Sequence, residues 1–125
     1  MPKRLLLIGT LIFLACEFLV RRSLAHDELD SLIACRDTQK LIFENAFVRV
    51  IDDVIPPGVS EPKHRHPNGV VVALEDADTE THSYPHGKAA RRHTTKGTVT
   101  WNAAIVHDVK NVGNTPTHFI RIDVK

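Results

Sequence analysis

From Leu41 to the C-terminus, short runs rich in β-branched residues alternate with polar punctuation. The runs are KLIFE, AFVRVIDDVI, VSEPKHRH, GVVVALE, ADTETHSY, GKAARRHT, GTVTW, AIVHDVKNV and THFIRIDVK. Turn signals separate them: PPG at 56–58, PNG at 67–69, EDAD at 75–78, PHG at 85–87 and VGNTP at 112–116. Short strands between regularly recurring turns predict an all-β sandwich or barrel. A closed or doubled antiparallel sheet is favoured, because an open sheet of so many short strands would leave unpaired edges.

Two local patterns make sharper predictions. The last run places His118, Ile120, Ile122 and Val124 on one face and Thr117, Phe119, Arg121 and Asp123 on the other. Period-two alternation makes the first set the core face and puts Arg121 toward solvent. The stretch THSYPHGKAARRH reads as a hairpin with a two-residue turn at His86-Gly87, Gly87 supplying a positive φ. That register sets His82 opposite Arg91 and Glu80 opposite His93. Before the strands, DELDSLIACRD predicts one short helix with Leu29, Leu32 and Ile33 on one side.

The first 25 residues have a different character. Lys3 and Arg4 precede an apolar run from Leu5 to Val20, and Ser23-Leu24-Ala25 puts small residues where a signal peptidase cuts. This is the layout of a secretory signal peptide. Glu17 within the run and Arg21-Arg22 after it fit less well, and a retained anchor is the rival reading, although the run is short for a spanning helix. The predicted organisation is a signal peptide at 1–25, an N-terminal extension at 26–40 and one β-barrel domain at 41–125. Periplasmic or secreted localisation follows, with no membrane association after cleavage. Cleavage would also make His26 the new N-terminus, where its amine and imidazole could chelate copper.

Charge changes little. The formal net charge is +1, and without residues 1–25 the chain has 12 basic and 14 acidic side chains, a balance of −2. No basic footprint for nucleic acid is present. Of the two cysteines, Cys16 lies in the predicted signal, and Cys35 alone cannot form an internal disulfide. It reads as a small buried apolar residue.

The chemistry lies in the histidines. His64 and His66 are two apart on a predicted strand, so their imidazoles share a face and can converge on one ion. Neutral imidazole is a good ligand for zinc, iron, copper or nickel. A third ligand must come from another strand, and His107, in AIVHDVKNV, is the best placed. The bland alternative is a pair of surface histidines on an edge strand. His82, His86 and His93 read as surface or turn residues, and His118 as an outside candidate for a further ligand. Glu44, Tyr84, Trp101, Phe119 and Arg121 are candidates to line a pocket, with Trp101 and Phe119 read as core. There is no G-x-S-x-G, phosphate-binding glycine loop or H-E-x-x-H.

The surroundings of these histidines resemble the two motifs of the cupin superfamily. Gly58, His64 and His66 match the opening of the first motif at its spacing. Gly97, His107 and Asn111 match the second with one residue fewer between glycine and histidine. GTVTWNAAIVH is similar to the corresponding stretch of small single-domain cupins, as are ENAFVRV and SYPHGK. The resemblance runs from about Leu41 to Lys125. It implies a double-stranded β-helix (jelly-roll) barrel, one divalent metal ion (iron, zinc, copper, nickel or manganese), a small-molecule ligand and a homodimer. The chain departs from the pattern where the motif's glutamate ligand would stand, at Val70 or Val71, and Ala103 and Ile105 replace a proline and a glycine.

The implied site is thus reduced to three histidines, which leave coordination positions open, and with no carboxylate ligand the ion keeps its full charge and favours anionic substrates or hydroxide. The leading expectation is a metal-dependent oxidoreductase of dioxygenase-like type. Two readings stand beside it: a non-catalytic ligand- or metal-binding module, and a degenerate cupin with an empty site.

Overall fold

The computed structural model describes residues 27–125; the predicted signal segment and His26 lie outside them. Nine strands follow one short helix, α1 (Ser31–Ala34): β1 (Gln39–Glu44), β2 (Val48–Ile55), β3 (Ser60–His66), β4 (Gly69–Ala73), β5 (Ala77–Ser83), β6 (Ala89–Thr94), β7 (Val99–Asn102), β8 (Ile105–Asn111) and β9 (Thr117–Val124). Each strand falls on one of the nine predicted runs. They form a five-stranded sheet, β1-β2-β9-β4-β7, and a four-stranded sheet, β3-β8-β5-β6. Every described pairing between strands is antiparallel. Only β1–β2 and β5–β6 are hairpins within a sheet; elsewhere the chain crosses from one sheet to the other. This is the double-stranded β-helix that the resemblance implied.

Both motif glycines have a backbone reason. Gly58 has φ +75° and Gly97 φ +84°, conformations that strain any residue with a Cβ. Asn111 pins the turns at one end of the fold. Its side-chain N–H groups donate to the carbonyls of Ile55 and Thr115, each at 2.8 Å, and its carbonyl oxygen accepts from Gly113 N–H at 2.9 Å.

The extension before β1 is shorter than predicted, since β1 begins at Gln39. It covers the outer edge of β3. Asp30 caps α1 by accepting from Leu32 N–H, and Arg65 N–H donates to the Leu29 carbonyl at 2.7 Å. An edge that would otherwise present unpaired backbone groups is thereby closed.

The β5–β6 hairpin corrects the predicted register. His82 pairs with Ala89, Glu80 with Arg91 and Asp78 with His93, so six residues, 83–88, lie between the last paired residues. A two-residue turn at His86-Gly87 would need an N–H from Pro85 in its closing pair, and proline has none. Gly87 has no positive φ; its need is space, since a Cβ there would lie 2.4 Å from the Ser83 carbonyl oxygen.

The last strand is inverted relative to the prediction. Thr117, Arg121 and Asp123 are buried, whereas Ile120 and Ile122 are only half-buried and Val124 is exposed. The interior is polar: among the described residues, ten polar or charged side chains are buried against five apolar ones. The alternation was right and its sense was wrong, because a polar interior reverses the rule that the apolar face points inward.

Candidate metal centre

β3 and β8 are neighbours, and their register sets His64 directly opposite His107, with His66 opposite Ile105. The three imidazoles converge on the inner face of the four-stranded sheet. His64 Nε2 and His107 Nε2 are 3.0 Å apart, and one ring nitrogen from each of the three histidines lies within 4.8 Å of the others. His64 is fully buried, His66 is 4% exposed and His107 is half-buried. The three sequence-predicted ligands are therefore brought together.

The ring orientations suit metal ligation. His64 Nδ1 lies 2.7 Å from the Pro62 carbonyl, to which it donates, leaving Nε2 with a free lone pair. His66 Nδ1 lies 3.4 and 3.5 Å from the two Asp123 oxygens, so its Nε2 is likewise turned to the centre. Such outer partners fix tautomer and ring direction in metal sites. Burial holds His66 down to about 4 and His107 down to about 3. Neutral imidazole, the ligating form, is the resting state at neutral pH. The 3.0 Å separation is close to that of adjacent ligand atoms around an ion bound at ~2.1 Å.

Asp123 is itself held in place. Arg121 Nε donates to it at 2.6 Å and Arg49 Nη2 at 3.2 Å. Burial would raise its pKa, but the hydrogen bonds from His66 and Arg121 outweigh burial and bring it to about 2. Arg121, expected at the surface, is buried and also donates to the Pro67 carbonyl at 2.8 Å.

A carboxylate that sequence reasoning missed sits beside the histidines. On a regular strand Glu61 and His64 would face opposite ways. A bulge between them turns Glu61 inward, where it is buried with an oxygen 3.8 Å from His64 Nε2. It accepts hydrogen bonds from Thr38 and Gln39. Asp53 approaches it from β2, and burial together with the Glu61 charge and hydrogen bond raises the Asp53 pKa well above the carboxylate range. The signal in the sequence was Pro62, since proline within a strand marks an edge or a bulge. Val71, one of the two residues where the motif's glutamate would stand, lines the cavity with an apolar side chain.

The other candidates lie elsewhere. His118 is on the outer face of the five-stranded sheet, 2.7 Å from Asp52, and is not a fourth ligand. His82 packs at a tilt against Tyr84, whose hydroxyl donates to Asp108 at 2.7 Å. His93 pairs with Asp78, not Glu80, at 2.7 Å, and His86 is exposed at the turn. Glu44 pairs with Lys125 at 2.7 Å. Trp101 is 61% exposed rather than core, and both it and Phe119 contribute to the cavity lining. Cys35 is buried, and burial with the nearby Glu61 and Asp53 charges drives its thiol pKa far up.

The histidines open onto a cavity of about 650 Å³ between the two sheets.

Comparison with solved structures supports the architecture. A cupin domain from Bordetella pertussis Tohama I is 26% identical, with a TM-score of 0.64, over 70% of this chain and 91% of that one. An uncharacterized conserved protein with a double-stranded beta-helix domain from Klebsiella pneumoniae is 20% identical (TM-score 0.56), covering 69% and 74%. An RmlC-like cupin family protein with a double-stranded beta-helix fold from Methanocaldococcus jannaschii is 12% identical (TM-score 0.55), covering 69% and 77%. No family model matches the chain, and no curated protein matches it.

Proposed function

We propose that this chain, a small domain of the cupin superfamily, binds one divalent metal ion through His64, His66 and His107 and uses the open side of that ion on a small molecule in the adjoining cavity. The observation that carries this is the convergence of three oriented imidazoles from two strands, with His64 and His107 Nε2 atoms 3.0 Å apart. A structural zinc site is closed by four protein ligands, whereas three histidines leave positions for water or substrate. A divalent ion there would polarise a bound water, a substrate oxygen or dioxygen.

The protein's own part is to hold the His66 and His107 rings neutral, to aim His66 through Asp123, and to shield the inner side by burial. Glu61 places negative charge next to His64 and so favours a cation. The finer reading is a dioxygenase-like oxidoreductase. Imidazole donors suit zinc, copper, iron or nickel.

Export and self-association belong to the same proposal. The layout of residues 1–25 supports a periplasmic or secreted location. The apolar outer face of the five-stranded sheet supports a homodimer.

The test is elemental analysis of protein purified without a histidine tag, after supplying each first-row metal in turn. One ion per chain supports the proposal, and none with any metal refutes it. Oxygen uptake by loaded protein with diketones, phenols and thiols then separates an oxidoreductase from a binding module.

A further inference from the structure

The wall of the cavity leading away from the histidines is a ladder of hydroxyl groups. β5 turns Thr79, Thr81 and Ser83 inward. Ser83 pairs with His107 and so stands beside the metal centre, while Thr79 pairs with Asn111 on one side and Arg92 on the other. At ~3.3 Å per residue the ladder is roughly 13 Å long. Thr100 and Asn102 of β7 and Thr94 of β6 add polar groups to the same space. None of these six side chains makes a side-chain hydrogen bond within the described residues.

Two cations complete this wall. Arg92 and Lys88 line the cavity, Arg92 beside Thr79 and Lys88 toward the Ser83 end. Neither has an ion-pair partner among the described residues. The other arginines of the lining are engaged: Arg91 with Glu80 at 2.8 Å and Arg121 with Asp123 at 2.6 Å.

We infer that the cavity takes a small polyhydroxylated carboxylate, its carboxylate on Arg92 and its hydroxyl groups on neighbouring members of the Thr79, Thr81 and Ser83 ladder. The inference rests on the metal-binding reading for the use made of that ligand. Small-molecule pockets are usually apolar with a few polar groups, and this one is not. An apolar ligand would strip water from the hydroxyl ladder and return no hydrogen bonds. A neutral polyol would satisfy the ladder and leave the cations unused. A carboxylate matches the planar fork of an arginine.

Calorimetry of zinc-loaded protein with three six-membered-ring compounds tests this: quinate has hydroxyls and a carboxylate, myo-inositol hydroxyls only, and cyclohexanecarboxylate a carboxylate only. Quinate is expected to bind at least roughly tenfold more tightly than either other compound. Arg92→Gln is expected to weaken quinate by a similar factor, with metal content and melting temperature unchanged. Equal binding of cyclohexanecarboxylate, unchanged quinate binding in Arg92→Gln, or no saturable quinate binding at roughly 10 mM each overturns the inference. A protein that holds one zinc per chain and ignores quinate refutes this inference alone. One that takes up no metal, yet binds quinate in an Arg92-dependent way, refutes the metal reading and leaves the hydroxyl ladder standing.

Discussion

His64 and His107 face one another across β3 and β8, forty-three residues apart in sequence, with their Nε2 atoms 3.0 Å from each other. A buried and a half-buried imidazole this close lose solvation without a compensating charge, and a cation between them removes that cost. His107→Ala should therefore abolish divalent metal binding, lowering affinity by at least ~100-fold, since even outer partners of ligands contribute 10–100-fold. His86→Ala, at an exposed turn, should leave it intact. Metal content and competition with a chromophoric chelator check both.

This pair also shows how far the sequence could be read. The H-x-H spacing fixed a shared face for His64 and His66, and Gly58 and Gly97 stand where the backbone takes positive φ. Those are local properties, and period-two geometry or a single φ angle carries them. Glu61 was hidden because a one-residue bulge decides which face it takes, and Pro62 only hints at the bulge. Arg121 and Asp123 were assigned to solvent because alternation gives two faces and does not say which is inside. Burial of their charges is stabilised by Arg49 and His66 from other strands, partners that no local pattern announces.

Asp123 links the site to the fold. Asp123→Asn should lower metal affinity about 10–100-fold by loosening His66. It should also destabilise the domain by roughly 3–5 kcal/mol, because Arg121 loses its buried counter-charge. Calorimetric metal titration and denaturant unfolding of the metal-free protein measure the two effects separately.

Glu61 acts by charge. Glu61→Gln keeps the hydrogen-bonding shape and removes the carboxylate 3.8 Å from His64 Nε2. Metal affinity should fall by roughly tenfold or more, given the strength of close charge interactions at reduced dielectric. An unchanged affinity would mean that Asp53 and Glu61 together carry no net charge toward the ion.

The metal-free protein should lose stability as pH falls from about 6.5 toward 4. His66 and His107 have folded-state pKa values of about 4 and about 3, depressed by burial. Between those values and the unfolded pKa, ~6.5, the unfolded chain binds protons that the folded chain refuses. Stability from these groups is complete above the unfolded pKa and drains away as pH drops through the window. Denaturant midpoints of chelator-treated protein should fall across this range. A flat profile would mean that the histidines are solvated.

The outer face of the five-stranded sheet makes a prediction about assembly. With the interior polar, the apolar residues of β2, β4, β7 and β9 point outward: Val50 and Val54, Val70 and Val72, Val99 and Trp101, Ile120 and Ile122. Val99 and Trp101 are 65% and 61% exposed, and the others are half-buried. The Asp52–His118 pair shares this face; a largely apolar surface of this kind marks an association face, and sheets pack face to face through such residues. A second copy is the occupant proposed for it, related by a two-fold axis so that the patch meets itself. Wild-type protein covering residues 26–125 should run as a dimer in light scattering. Ile122→Lys, in the middle of the patch, should make it a monomer with unchanged metal content, because His64, His66 and His107 lie on the opposite sheet. A wild-type monomer at concentrations well above micromolar, or a dimer unaffected by the lysine, would remove this face from consideration.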